Sequence, residues 1–433
     1  MWPPMWRICH NLSAFIVLAG CLSSCAGFPQ YSHPAADYYS AAPAESPFLS
    51  WQPHSTTTGQ EAQLSLLADG LEAFLARLVL IRNARQSLDL QYYLYHDDLT
   101  GRVLTLALLQ AADRGVRVRL LLDDMTSRGK DGPLAVLAVH PNIAVRLFNP
   151  FRRDYSRELQ FISRYGVSTR RMHNKALISD NLMALVGGRN IGDEYFNAAR
   201  DDVIFGDLDV LFSGPVVSDS SALFDRYWNS PLTFPVQQLN QSAVRPQQLE
   251  ALRSDLQSWV QQQQQHRYIQ ALKQRLELLT HEVGRRMYNG RAFVLADTPD
   301  KLLQPGSGSA LLTGVRQLSD QSRESVLLVS PYFVPGEAGV AYLKQLVQRG
   351  LEVTVLTNSL AATDVPAVHS AYKHYRRALL QAGVALWELK PDSRVGRISH
   401  WSGSSSASLH AKMLIADQRY LFVGSMNFDP RGA

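Results

Sequence analysis

His173-Asn174-Lys175-Ala176-Leu177-Ile178-Ser179-Asp180, followed by Gly187-Gly188-Arg189-Asn190, returns later in the chain as His410-Ala411-Lys412-Met413-Leu414-Ile415-Ala416-Asp417, followed by Gly424-Ser425-Met426-Asn427. Both copies read H-x-K-x4-D, with an asparagine 17 positions after the histidine. Taken singly, a histidine in an apolar strand is most often a core residue, and Gly-Gly at a strand end is most often a turn. Unrelated structural roles would not keep four residue types at three spacings twice over, so the repeated block reads as one chemical device made of two copies.

The local pattern gives that device a shape. Ala176-Leu177-Ile178 and Leu182-Met183-Ala184-Leu185-Val186 are short apolar runs around Ser179-Asp180-Asn181, which predicts a β-hairpin with a polar turn. Alternate side chains of a strand share a face, so His173 and Lys175 point together, as do His410 and Lys412. Folding about Asp180 and Asn181 places Gly188 opposite His173. Folding about Asp417 and Gln418 places Ser425 opposite His410. The small residues there are expected to let a substrate approach the backbone. Asn190 and Asn427 emerge beside their histidines.

Each copy thus presents an imidazole, an ammonium and a carboxamide, a set suited to a phosphate oxyanion. Lys175, Lys412, Asn190 and Asn427 are the candidate phosphate donors. Two copies face to face supply one imidazole to attack phosphorus and another to protonate the leaving alkoxide, which fits covalent catalysis in two displacements. The lysines would stabilise the developing charge, so no metal or other cofactor is expected.

The two blocks resemble the paired signature motifs of the phospholipase D superfamily. The flanking segments are similar to bacterial cardiolipin synthases: Gln91-Tyr92-Tyr93, Leu120-Leu121-Leu122-Asp123-Asp124, Arg146-Leu147-Phe148-Asn149-Pro150-Phe151, Ser330-Pro331-Tyr332-Phe333-Val334-Pro335 and Asn427-Phe428-Asp429-Pro430-Arg431. The resemblance runs from about residue 70 onward. It implies an α/β fold of two similar halves packed as a pseudo-two-fold pair with one active site between them. It further implies a phosphohistidine intermediate carrying a phosphatidyl group, with His173 as nucleophile and His410 as acid and then base. The signature set is therefore His173, His410, Lys175, Lys412, Asp180 and Asp417, the aspartates being placed in turns where they brace the halves rather than touch phosphate. A catalytic imidazole needs a partner on its other nitrogen. Asp207, in a strand-like run before Gly214-Pro215, is where the family has such a carboxylate. The family pattern continues past the second motif with a strand bearing the other orienting carboxylate. This sequence stops at Ala433: it reads as a fragment, the alternative being a second half that lacks this edge strand and a partner for His410.

The wider order is duplicated as well. Residues 87–93 read as a strand, 102–114 as an amphipathic helix capped by Gly115, and 116–122 as another strand; 326–330, 339–349, Gly350 and 351–357 repeat the series. Strands alternating with helices indicate mixed α/β layers. We divide the chain into a first half at 66–235, a helical insertion at 236–300 that includes the glutamines 261–265, and a second half at 301–433. Residues 393–408, rich in serine, read as a mobile loop leading into the second motif.

The start of the chain speaks to location. Leu12-Ser13-Ala14-Phe15-Ile16-Val17-Leu18 is too short to span a bilayer and matches a signal-peptide core. Leu18-Ala19-Gly20-Cys21 resembles a bacterial lipobox. Residues 1–20 are thus expected to be a lipoprotein signal peptide, Cys21 the lipidated residue and 21–65 a flexible tether rich in Ser, Ala, Pro and Thr. This predicts anchoring in the cell envelope, on the periplasmic side and at the outer membrane. All three cysteines, Cys9, Cys21 and Cys25, lie in the first 25 residues, so the folded body is expected to have no disulfide, thiolate nucleophile or cysteine-bound zinc. H-E-x-x-H, P-loop and G-x-G-x-x-G motifs are absent too.

A net charge of +5 favours anionic partners without choosing among them. The first expectation is a transphosphatidylase acting on anionic phospholipids at a membrane surface, with hydrolysis as a side activity. The second is a nuclease using the same histidines; it would call for a basic stripe interleaved with aromatics, which is not seen, so no nucleic acid partner is expected. A membrane-tethered scaffold without turnover is the third.

Overall fold

The computed structural model describes residues 32–53, 60–127, 129–154, 156–163, 171–199, 204–240, 242–279, 287–303, 308–390 and 407–428. The signal peptide, Cys21 and most of the serine-rich loop lie outside these residues. Among the described residues, no helix is long and apolar enough to cross a membrane.

The first half contributes β1 (Glu61–Leu67), β2 (Ser87–Tyr92), β3 (Arg117–Asp123), β4 (Ile143–Phe148), β5 (Ala176–Ser179), β6 (Met183–Gly187), β7 (Ile204–Gly206), β8 (Asp209–Ser213) and β9 (Thr233–Pro235). A later strand, β10 (Tyr288–Arg291), joins its edge. These strands, apart from β7, form a nine-stranded sheet in the order β10-β1-β8-β6-β5-β2-β3-β4-β9. The second half contributes β11 (Ser325–Val329), β12 (Glu352–Asn358), β13 (Ala385–Leu389), β14 (Ala407–Leu409), β15 (Lys412–Ala416) and β16 (Tyr420–Gly424), with sheet order β13-β12-β11-β15-β16.

The duplication read from the sequence is visible as topology. β6-β5-β2-β3-β4 and β16-β15-β11-β12-β13 are the same arrangement, a histidine hairpin antiparallel to the first strand of a parallel run. The helix caps match also: Gly115 and Gly350 have φ of 91° and 92°, a left-handed conformation that costs glycine nothing. Each half buries its own core, with Leu104, Leu108, Leu120 and Leu185 in the first and Val326, Leu343, Val355 and Leu414 in the second.

Two boundaries differ from the sequence reading. Residues 32–53 are not a free tether, because Phe48 is fully buried and Asp37 reaches Arg117 at 2.8 Å and the buried Arg119 at 3.7 Å. Burying a phenylalanine is worth roughly 2–3 kcal/mol, enough to hold a short segment down. Helices Pro246–Gln262 and Arg267–Leu279 bury Leu256, Tyr268 and Leu272 in the first core, and β10 pairs with β1, so the insertion is part of the first half's fold.

The halves are joined through main chain. β14 pairs in parallel with β7, and the His410 and Ala411 amides both donate to the Gly206 carbonyl, at 2.8 and 3.0 Å. This pairing carries the end of one half onto the histidine of the other.

Candidate active site

Both predicted hairpins form, and each turns through two left-handed residues: Asp180 and Asn181 with φ of 54° and 52°, Asp417 and Gln418 with φ of 52° and 51°. The loop takes three residues rather than two, so the register centres on Asn181 and Gln418 and shifts by one from the expected pairing. Gly187 donates to the Lys175 carbonyl, and Lys412 pairs with Gly424.

The turn aspartates sit far along the hairpin from its histidine and accept main-chain bonds. Asp180 takes the amides of Arg85, Gln86 and Ser87 at 2.8–3.1 Å, and Asp417 takes those of Arg323, Glu324 and Ser325 at 2.9–3.1 Å. Both fasten the turn entering the neighbouring strand, β2 or β11. The bracing expectation fits these contacts, whereas a place among groups that touch substrate does not.

At the other end of the hairpins the basic groups converge. His173 Nδ1 lies 2.8 Å from the Ser425 carbonyl of the second half, so that nitrogen carries the proton and Nε2 the lone pair. Lys175 is buried and donates to the His173 carbonyl at 2.7 Å; Lys412, also buried, donates to the His410 carbonyl at 2.5 Å and stands 3.0 Å from His410 Nδ1.

Asp207 does partner a histidine, but the one in the other half. It does not serve a histidine of its own half: its Oδ2 lies 2.5 Å from His410 Nδ1, so His410 has a carboxylate partner within the chain. The physical reason is the β7–β14 pairing, which delivers the segment after β7 to the second hairpin. Among the described residues, the partner seen on His173 is a carbonyl instead.

Charge and burial explain the protonation states. Burial, then the fields of Lys175, Lys412 and His410, push His173 well below its ordinary value. His410 falls to about 4 for burial and Lys412, with Asp207 pulling the other way. Burial and then Lys412 drive Lys175 well down, while burial leaves Lys412 at about 8. Burial alone would raise Asp207; the charge and hydrogen bond of His410, with Lys412 and Arg189, overcome it and hold the carboxyl below the ordinary range. The result is a buried cluster of basic groups that depress one another's protonation, a place where a bound anion would favour the charged forms.

The asparagines are not equivalent. Asn190 is buried with Oδ1 accepting from the Leu94 amide at 3.1 Å and Nδ2 donating to the Tyr195 hydroxyl at 2.9 Å, which ties it to the scaffold rather than presenting it to phosphate. Asn427 Oδ1 is buried without a hydrogen-bond partner among the described residues. Nor does Gly188 open room for substrate: a Cβ there would overlap Asp207 Oδ1, so the missing side chain is filled by the carboxylate that holds His410.

Sequence reasoning missed four contributors. Arg189, fully buried, donates to the carbonyls of Leu67, Ala68, Tyr195 and Asp207 and so shapes the loop between β6 and β7. The Tyr195 and Phe205 rings flank His410 at 5.3 and 4.9 Å, and Tyr93 lies 4.9 Å from His173. The available signal was position: Arg189 lies inside the first motif, and Tyr93 directly follows β2.

Two similar α/β halves that bring a His-Lys pair each to one buried centre define a phosphodiester-transfer protein of the paired-histidine type. The family described as "Cardiolipin synthase, PLD-like domain" matches residues 78–228 and 315–433. Over 376 residues the chain is 42% identical to cardiolipin synthase C of Escherichia coli, covering 84% of this chain and 78% of that one. It is also 33% identical over 405 residues to an uncharacterized protein of Helicobacter pylori, covering 90% and 80%. The fold is shared with the crystal structure of phosphatidylserine synthase from Haemophilus influenzae, at TM-score 0.55 and 16% identity over 86% of this chain and 79% of that one. The chain belongs to the phospholipase D-like cardiolipin synthase family.

Proposed function

We propose that this protein is a cardiolipin synthase-like phosphatidyltransferase acting through a phosphohistidine. The observation that carries the reading is the meeting of two histidines and two buried lysines from separate halves, with Asp207 crossing the interface to His410. In the first displacement His173 Nε2 attacks phosphorus of a donor phospholipid. A P–N bond forms, the P–O bond to the leaving alcohol breaks, and His410 gives that oxygen its proton. In the second, His410 takes the proton of an acceptor hydroxyl, the new oxygen attacks phosphorus and the P–N bond breaks. Water as acceptor gives hydrolysis.

The two partners support this assignment of roles. A carbonyl on His173 Nδ1 fixes the tautomer without adding charge, which suits a neutral nucleophile; a carboxylate on His410 favours the imidazolium, which suits an acid. The negative charge of a bound diester would favour the same protonated form. Lys175 and Lys412 hold the non-bridging oxygens.

Anionic phospholipids are the expected substrates, with the glycerol hydroxyl of a second phosphatidylglycerol as acceptor. Purified protein with phosphatidylglycerol vesicles, with and without phosphatidylethanolamine, is expected to form cardiolipin, and His173→Ala or His410→Ala to abolish it. Unchanged turnover in both variants would overturn the reading, and cleavage of single-stranded DNA without lipid turnover would select a nuclease. We propose also that Cys21 is lipidated and holds the protein to the periplasmic side of the outer membrane; Cys21→Ser is expected to release it from the membrane fraction.

A further inference from the structure

Outside the histidine and lysine centre, a cavity of about 410 Å³ is lined by the loop after β2, the loop after β6 and the helical insertion, with His96, Asp98, Asp193, Glu194, Trp259 and His266 on its walls. We propose that this cavity holds one divalent transition-metal ion of the zinc or manganese type, bound by His96 Nδ1, Asp98 Oδ2 and Glu194 Oε1. One ligand atom from each of the three side chains lies within 4.8 Å of the other two.

Their spacing suits an ion better than a salt bridge. His96 Nδ1 stands 3.5 Å from Glu194 Oε1 and 4.0 Å from Asp98 Oδ2. A charge-assisted hydrogen bond would close to about 2.7–2.9 Å. Tetrahedral bonds of about 2.0–2.1 Å instead hold donor atoms roughly 3.3–3.4 Å apart. Of the three donor pairs, His96–Glu194 is already near that spacing, His96–Asp98 needs a small closure, and the two carboxylates lie within the 4.8 Å that bounds the set. An imidazole with two carboxylates matches zinc or manganese rather than calcium, which takes oxygen alone.

The donors are also held in place beforehand. Asp98 Oδ1 caps the helix Leu99–Asp113 through the Gly101 amide at 2.9 Å, and its Oδ2 accepts the Asp193 amide at 2.8 Å. Asp193 Oδ1 in turn accepts from the Thr100 amide at 2.8 Å. Glu194 folds back over Gly192, where any Cβ would stand 2.7 Å from Oε2. Outer contacts of this kind orient metal ligands.

The position gives the ion a task. His96 comes from the loop after β2 and Glu194 from the loop after β6, and the His96 amide already donates to the Ile191 carbonyl at 2.9 Å. The second loop carries Asn190 and Tyr195, whose ring packs against His410. An ion joining the loops would stiffen the wall beside that imidazole.

The test uses full-chain protein stripped with chelator and titrated with Zn²⁺ or Mn²⁺, read by calorimetry, by bound-metal stoichiometry and by thermal unfolding. About one equivalent is expected to bind and raise Tm, with affinity at least tenfold lower in His96→Ala and in Glu194→Gln. Both side chains are partly exposed, so the metal-free variants should unfold at the metal-free parent's temperature; Asp98 is left intact because it caps a helix. His173→Ala and His410→Ala are expected to keep the site. Binding that survives in the His96→Ala/Glu194→Gln double variant, binding lost instead with His173 or His410, or no stoichiometric binding at all would each overturn the proposal.

Discussion

Asp207 and His410 belong to different halves, yet the carboxylate Oδ2 lies 2.5 Å from the imidazole Nδ1. The contact makes the second hairpin's chemistry depend on a strand of the first half. Asp207→Asn keeps the shape and removes the charge. Because Asp207 raises the His410 pKa, its loss moves the limb that needs protonated His410 to lower pH. Turnover at neutral pH is expected to fall by up to about 10⁴-fold, by analogy with the aspartate of other histidine-based sites. A pH profile of kcat for lipid transfer checks both points; an unchanged profile would mean that the carboxylate has only a structural role.

Gly188 is expected to act through the same contact. Its Cα faces Asp207 so closely that alanine must displace the carboxylate. Gly188→Ala should therefore reproduce much of the Asp207→Asn loss in kcat, and combining the two should cost little more than either alone. Additive losses in a double-mutant cycle would separate them.

The parts legible in the sequence were those with a local signature. Apolar runs around Asp180 and Asp417 gave the hairpins, and glycines 115 and 350 gave the helix caps, because period and φ are properties of neighbouring residues. Duplicated order gave the two halves. What stayed hidden was relational: Asp207 and His410 are 203 positions apart, and only the β7–β14 pairing decides which histidine the carboxylate meets. The register slipped by one because a three-residue loop and a two-residue loop look alike in sequence. Residues 32–53 have the composition of a tether, yet Phe48 and Asp37 each find a buried partner that composition does not reveal.

The turn aspartates are expected to govern stability rather than chemistry. Asp180→Ala strands three main-chain donors at a buried turn and should lower stability by about 2 kcal/mol. Asp417→Ala, at a more open turn, should lower it less. Denaturant unfolding followed by fluorescence measures the loss, and kcat per folded molecule should stay close to the parent's. A large fall in kcat with stability intact would move these residues into the reacting centre.

The lysine pair makes a prediction about anions and pH. Lys412 titrates at about 8 in the folded chain against 10.5 for a free lysine, so the unfolded chain holds more protons between those values. Its contribution to stability therefore rises with pH across that window, since the ammonium is what the buried centre resists. A bound phosphate reverses the preference by favouring the charged form. Inorganic phosphate is thus expected to raise Tm clearly at pH 7 and much less at pH 9.5, and Lys412→Met should weaken the effect at pH 7. An equal phosphate shift at both pH values would place the anion elsewhere than between these lysines.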